Sequence, residues 1–169
     1  MTLNHKRLAL FFVSALALIG CTNNDNNQTE EELYLCCKEN ALAANDVNNL
    51  DQNAGTITPF PYMTPDGDGY NDFFIIENIE EYPNNTVTIY DMQDNLVFSA
   101  ENYNNSFDTS FWGVNENLPN GSYRYKIIVE DEATYIANGY LCLIIDFDQE
   151  PKFISSECAE VKFDPMIGY

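Results

Sequence analysis

Histidine is almost missing from this sequence. The single one, His5, lies in an N-terminal segment that reads as a cleaved leader, so the mature chain is expected to have none. Without imidazole there is no Ser-His-Asp or Cys-His activation of a nucleophile, and no zinc site built on histidine. Cations are nearly as scarce, with 7 Lys and Arg against 27 Asp and Glu. Removing Lys6 and Arg7 with the leader leaves five basic residues against the same 27 acidic ones, a net charge of −22. Such a surface repels nucleic-acid phosphate, which is bound through clustered cations, and repels anionic headgroups as well. No nucleic-acid partner is expected, and contact with a membrane has to come from a covalent lipid. Divalent cations or a basic protein are the compatible company, and keeping the chain soluble is the bland role of the charge. There is no Cys-x-x-Cys, and no apolar pattern of helical period from residue 55 onward.

What is present begins with the leader. "MTLNHKRLALFFVSALALIGC" has a basic start and an apolar run from Leu8 to Ile19, too short to span a bilayer comfortably. Its end, "LIGC", resembles the lipobox of bacterial lipoproteins. The resemblance implies cleavage after residue 20 and acylation of Cys21, which makes an outer-membrane lipoprotein facing the periplasm or the cell surface. More than one acyl chain gives stable anchoring where one does not. Residues 21–54 then read as a lipidated tether. "TNNDNNQT" is polar and low in complexity, and Glu30, Glu31 and Glu32 extend its acidity. In Bacteroidetes-type lipoproteins such acids mark export to the surface; a solvated linker explains them equally. One or two helical turns are expected around Leu33 to Ala44.

Four cysteines remain besides Cys21: Cys36, Cys37, Cys142 and Cys158. Outside the cytoplasm an even number favours disulfides. A bond between adjacent Cys36 and Cys37 would strain the peptide between them. The preferred reading pairs each with one of Cys142 and Cys158, clipping the two ends of the chain together. Four thiolates on zinc are the alternative.

From Gly55 onward short β-rich runs alternate with turn signals. "GTITPF", "FFIIENI", "TVTIYDM", "LVFSA", "SFDTSFWG", "YRYKIIVE" and "TYIANGYLCLIID" are the expected strands. "DN" at 94–95 closes one hairpin and "DEA" another. About seven short strands over residues 55–146 argue for an all-β fold, an antiparallel β-sandwich. Residues 147–169 form a C-terminal extension.

The order "TPDGDGYND", "YPNNTVTIYD", "DNLVF", Trp112-Gly113, "LPNGSYRY" and a last strand with "GY" resembles the gliding-motility-associated C-terminal domain of Bacteroidetes, the type B sorting domain of type IX secretion. The resemblance covers about 57 to 145. It implies an immunoglobulin-like sandwich read as a folded export signal by the secretion or gliding machinery. Two features depart from the pattern: only a short segment precedes the domain, and the chain runs on through "DFDQEPKFISSECAEVKFDPMIGY".

"TPDGDGYND" raises the question of a metal. With Asp66 as position one of a calcium loop, Asp68, Asp72 and Glu77 fall at three, seven and twelve, but Tyr70 and Asn71 occupy five and six. Position six needs glycine, and no helix flanks the loop, so an EF-hand is rejected. A simpler oxygen cage of Asp66, Asp68, Asn71 and Asp72 around Ca2+ stays open beside a plain Gly-built turn. Trp112 with Tyr103, Phe107 and Phe111 is read as core or as an aromatic platform for a glycan, core being favoured for Trp112. Arg124 and Lys126 share one strand face and are expected to pair with carboxylates. The leading expectation is a non-enzymatic, lipid-anchored envelope protein; the alternative is a calcium-stabilised adhesion or glycan-binding module.

Overall fold

The computed structural model describes residues 34–36, 38–113 and 117–145. Cys21, Cys37, Cys158, the leader and residues 147–169 lie outside the described residues. No helix among the described residues is long and apolar enough to cross a membrane.

The strongest alternation in the sequence makes the longest strands. "GSYRYKIIVE" forms β7, Gly121–Glu130, and "TYIANGYLCL" forms β8, Thr134–Leu143. They pair antiparallel from Gly121↔Leu143 to Glu130↔Thr134. Tyr123, Tyr125, Ile127 and Val129 point one way and are buried, whereas Arg124, Lys126 and Ile128 on the other face are half-buried. Strand β5, Asn85–Tyr90, pairs with β7 and, through a hairpin, with β6, Leu96–Glu101. The Asp91 carboxylate builds that turn by accepting from the N–H groups of Gln93 and Asn95 and from the Asn95 amide, all at 2.7–2.8 Å. The Asn95 amide, first among these donors, holds Asp91 below the usual carboxylate range.

Two short strands complete this sheet alongside β8. Val47–Asn48, β1, pairs antiparallel with Tyr135 and Ile136, and Tyr62–Met63, β3, pairs parallel with Cys142 and Leu143. The second layer is a two-stranded ladder of β2, Thr58–Pro59, and β4, Ile76–Glu77, with the connecting segments around it. Phe74, Ile76, Ile79, Tyr103 and Phe111 from this layer meet Val87, Ile89, Ile127 and Leu141 from the large sheet, all fully buried. The chain is thus an all-β sandwich, antiparallel except for the β3–β8 pair. Of the expected helical turns the structure shows one of 3-10 type at Ala41–Asn45, with the Asn40 side chain accepting from the Leu42 N–H.

Three expected strands are shorter or missing. "GTITPF" keeps two strand residues because Pro59 and Pro61 offer no N–H to a ladder. "FFIIENI" keeps two, Ile76 and Glu77, and the Asn105 side chain meets both backbone groups of Ile76, at 3.0 and 2.7 Å. "SFDTSFWG" is not a strand. Asn104 accepts there from the Ser106 N–H and the Thr109 hydroxyl, and Asn105 stands at φ 56°, so side chains close turns where a ladder was expected.

Candidate functional site

The acidic loop is built by its own side chains. Asp66 Oδ1 accepts from the Asp68 N–H at 2.9 Å, and Asp68 Oδ1 accepts from the Tyr70 N–H at 2.8 Å. These are Asx turns. Asp72 closes the loop: its Oδ1 accepts from the Gly67 N–H at 2.7 Å and its Oδ2 from the Gly69 N–H at 2.9 Å. Gly67 and Gly69 stand at φ 86° and 95°, conformations that side-chain-bearing residues rarely adopt. The Asn71 carbonyl accepts from the Thr64 N–H at 2.9 Å, tying the loop's two ends together.

Asp66 and Asp68 are exposed, whereas Asn71 and Asp72 are buried. One carboxylate oxygen from each of Asp66, Asp68 and Asp72 lies within 4.8 Å of the others. Two oxygens bound to one calcium at about 2.4 Å are at most about twice that distance apart, so the three carboxylates fit a shared ion. They also fit a loop without one, since Asp72 has both oxygens satisfied by backbone donors.

Beside this loop the chain turns inward and back out. Phe74 and Phe111 are fully buried, and the Phe74 N–H donates to the Phe111 carbonyl at 3.1 Å. The buried Tyr103 hydroxyl donates to the Phe74 carbonyl and accepts from the Phe111 N–H. Tyr103 and Phe111 are therefore core. The neighbouring side chains reach the surface. Phe73 and Trp112 are half-buried with ring centroids 5.1 Å apart, and Phe107, 74 % exposed, packs on Trp112 at 5.1 Å.

Arg124 pairs with Asp94 and donates to the Asp91 carbonyl, as expected for a cation in so acidic a chain. With Lys126, Tyr90 and Asn138 it lines a small open cavity of about 150 Å³, whose only carboxylate among the described residues is Asp94. Cys36 is bonded to Cys142, with 5.6 Å between Cα atoms. The bond fixes Tyr34 into a second small cluster with Tyr62, Cys142 and Ile144.

Sequence reasoning missed the buried Asn85, whose amide donates to the carbonyls of Tyr82 and Tyr103 and whose oxygen accepts from the Tyr103 N–H. The one hint is an asparagine at the buried first position of an alternating strand, a position that needs no polar side chain unless something nearby needs bonding.

Residues 57–143 match the CHU_C Type IX secretion signal domain, 87 of the 169 residues. The chain belongs to this family. Membership associates it with the type IX secretion machinery and with the cell envelope or surface. No curated protein matches the sequence.

Proposed function

We propose that this chain is a non-enzymatic, lipid-anchored envelope protein whose sandwich acts through protein contacts with the type IX secretion or gliding machinery. The observation behind the reading is the family match over residues 57–143, which coincides with the sandwich. A rigid surface suits recognition during export, because no ordering cost is added on binding. The absence of catalysis is supported by chemistry. The mature chain offers no imidazole, and the single carboxylate of the Arg124 cavity is already engaged by Arg124. The lipid anchor rests on "LIGC" at Cys21.

The test is a reporter placed between a cleavable signal peptide and residues 34–169, expressed in a type IX-competent gliding bacterium. Surface display of the reporter is the expected result. A reporter retained in the periplasm, with residues 147–169 present or removed, refutes the sorting role. The anchor is tested separately: the native protein should partition into the detergent phase and Cys21→Ser into the aqueous phase.

One observation favours a second reading, in which calcium stabilises a displayed adhesion module: the convergence of Asp66, Asp68 and Asp72. Asn71 would add a further oxygen. A chelator then lowers the melting temperature of the purified protein, and an unchanged melting curve removes this reading.

A further inference from the structure

We infer that the ridge formed by Phe73, Trp112 and Phe107, with the adjoining Asp66 and Asp68, is the surface that docks on the export machinery. The partner it fits is a protein presenting an apolar groove with a cationic rim. This rests on the sorting reading above and adds a site and a partner chemistry to it.

Phe107 is the most exposed large apolar side chain among the described residues. It lies in a contiguous row of three rings, each centroid 5.1 Å from the next. The row is not a floppy patch. Phe73 precedes the fully buried Phe74, and Trp112 follows the fully buried Phe111. Those two are joined by a backbone hydrogen bond of 3.1 Å and clamped by the Tyr103 hydroxyl. A ridge held this way loses little freedom on binding, and rigid aromatic side chains are the residues in which contact energy concentrates.

Shape selects the kind of partner. The Phe73 and Trp112 planes meet at 41° and the Phe107 and Trp112 planes at 57°. Rings tilted to this degree offer no common flat face for stacking a sugar. With Phe107 74 % exposed the row protrudes, which fits a groove. Charge sets the rim, because Phe73 directly follows Asp72, the residue that closes the loop displaying the exposed Asp66 and Asp68. A groove whose margin presents Lys or Arg complements that loop.

The test uses the full chain with an epitope tag in a type IX-competent bacterium, read as protease-accessible protein on intact cells. Phe107→Glu should lower surface arrival about tenfold or more with a melting temperature within about 2 °C of the parent. Leu96→Glu, at a side chain 63 % exposed at the start of β6, is the control, expected to stay within about twofold. Asp66→Asn with Asp68→Asn keeps an acceptor oxygen for each Asx turn while removing charge, and should lower arrival about threefold or more. A photo-crosslinking residue at position 107 should label a component of the export machinery, and one at position 96 should not.

Parent protein at the surface together with undiminished Phe107→Glu overturns the ridge and leaves the sorting reading standing. So does crosslinking from position 107 that reaches no machinery component while export proceeds. A parent protein that stays inside, in cells exporting a known sorting domain, overturns the sorting reading and the ridge with it.

Discussion

Asn85 should be the most sensitive polar residue in the domain. It is 4 % exposed, at the start of β5, and its side chain holds three backbone groups: the Tyr82 carbonyl at 2.8 Å, the Tyr103 carbonyl at 2.9 Å and the Tyr103 N–H at 2.9 Å. Asn85→Ala strips all three of their partner inside the protein. A buried donor or acceptor left unpaired costs roughly 1–3 kcal/mol, and partial hydration of the vacated space recovers some of it, so the net loss should be about 3–5 kcal/mol. For a domain whose whole stability is about 5–15 kcal/mol, that is a large share. The assay is urea unfolding followed through Trp112, the sole tryptophan. With a slope of about 1.5 kcal/mol per molar urea, the midpoint should fall by roughly 2–3 M at unchanged slope. Asn85→Asp gives a sharper test. At neutral pH it sets a carboxylate oxygen against the two carbonyls that the amide served, so its folded-state pKa must rise above the unfolded value near 3.9. A raised carboxyl pKa means the defect is largest at neutral pH and shrinks as pH falls toward about 4, where a protonated carboxyl can donate to one carbonyl again. A loss below about 1 kcal/mol for the alanine variant, or an aspartate defect that does not change with pH, would refute this account of the β5 entrance.

The remaining predictions concern other parts of the fold. Cys36 and Cys142 are 106 residues apart in sequence, and replacing both with alanine should cost roughly 3–5 kcal/mol in urea unfolding. Burial pushes the phenols of Tyr103 and Tyr125 upward, and burial assisted by the Asp91 charge pushes Tyr123 up to about 12. Their contribution to stability is complete below the unfolded tyrosine value of about 10 and is lost as pH rises from there through the folded values. The share of the 295 nm tyrosinate absorbance that belongs to these three of the 11 tyrosines should therefore step up together with loss of circular dichroism. Asp72→Ala frees the N–H groups of Gly67 and Gly69, and should lower stability by about 1–3 kcal/mol in chelator-treated protein; an equal stability would mean that the loop is not held by these two bonds.

The large sheet was readable because its strands alternate without interruption. Tyr123, Tyr125, Ile127 and Val129 occupy every second position of β7, and that period alone assigns the core face. The Asp91–Asn95 turn was readable as well, since its bonds are local to the residues that form it. The opposite layer was not. Asn105 fixes the backbone of Ile76 from 29 positions away, and Tyr103 does the same for Phe74. No window of sequence reveals such a partner. For the same reason the aspartates of residues 66–72 could be read as a turn from their glycines, whereas the outward row of Phe73, Trp112 and Phe107 depends on two segments meeting through buried neighbours. Tyr103, open in the sequence between platform and packing, is core because its hydroxyl is consumed by backbone.

The long strand β8 borders on two fragments, β1 and β3, that together cover only four of its residues by ladder pairing. Between them, the Asn138 N–H is met by Asp46 Oδ1 at 2.8 Å and its carbonyl by the Asn40 amide at 2.7 Å. The side chains of an irregular segment thus do the work of a missing strand. An open β-strand margin is a template on which a second molecule can extend the sheet. Along β8 such templating is opposed from within the chain, by the partners of Tyr135, Ile136, Asn138, Cys142 and Leu143.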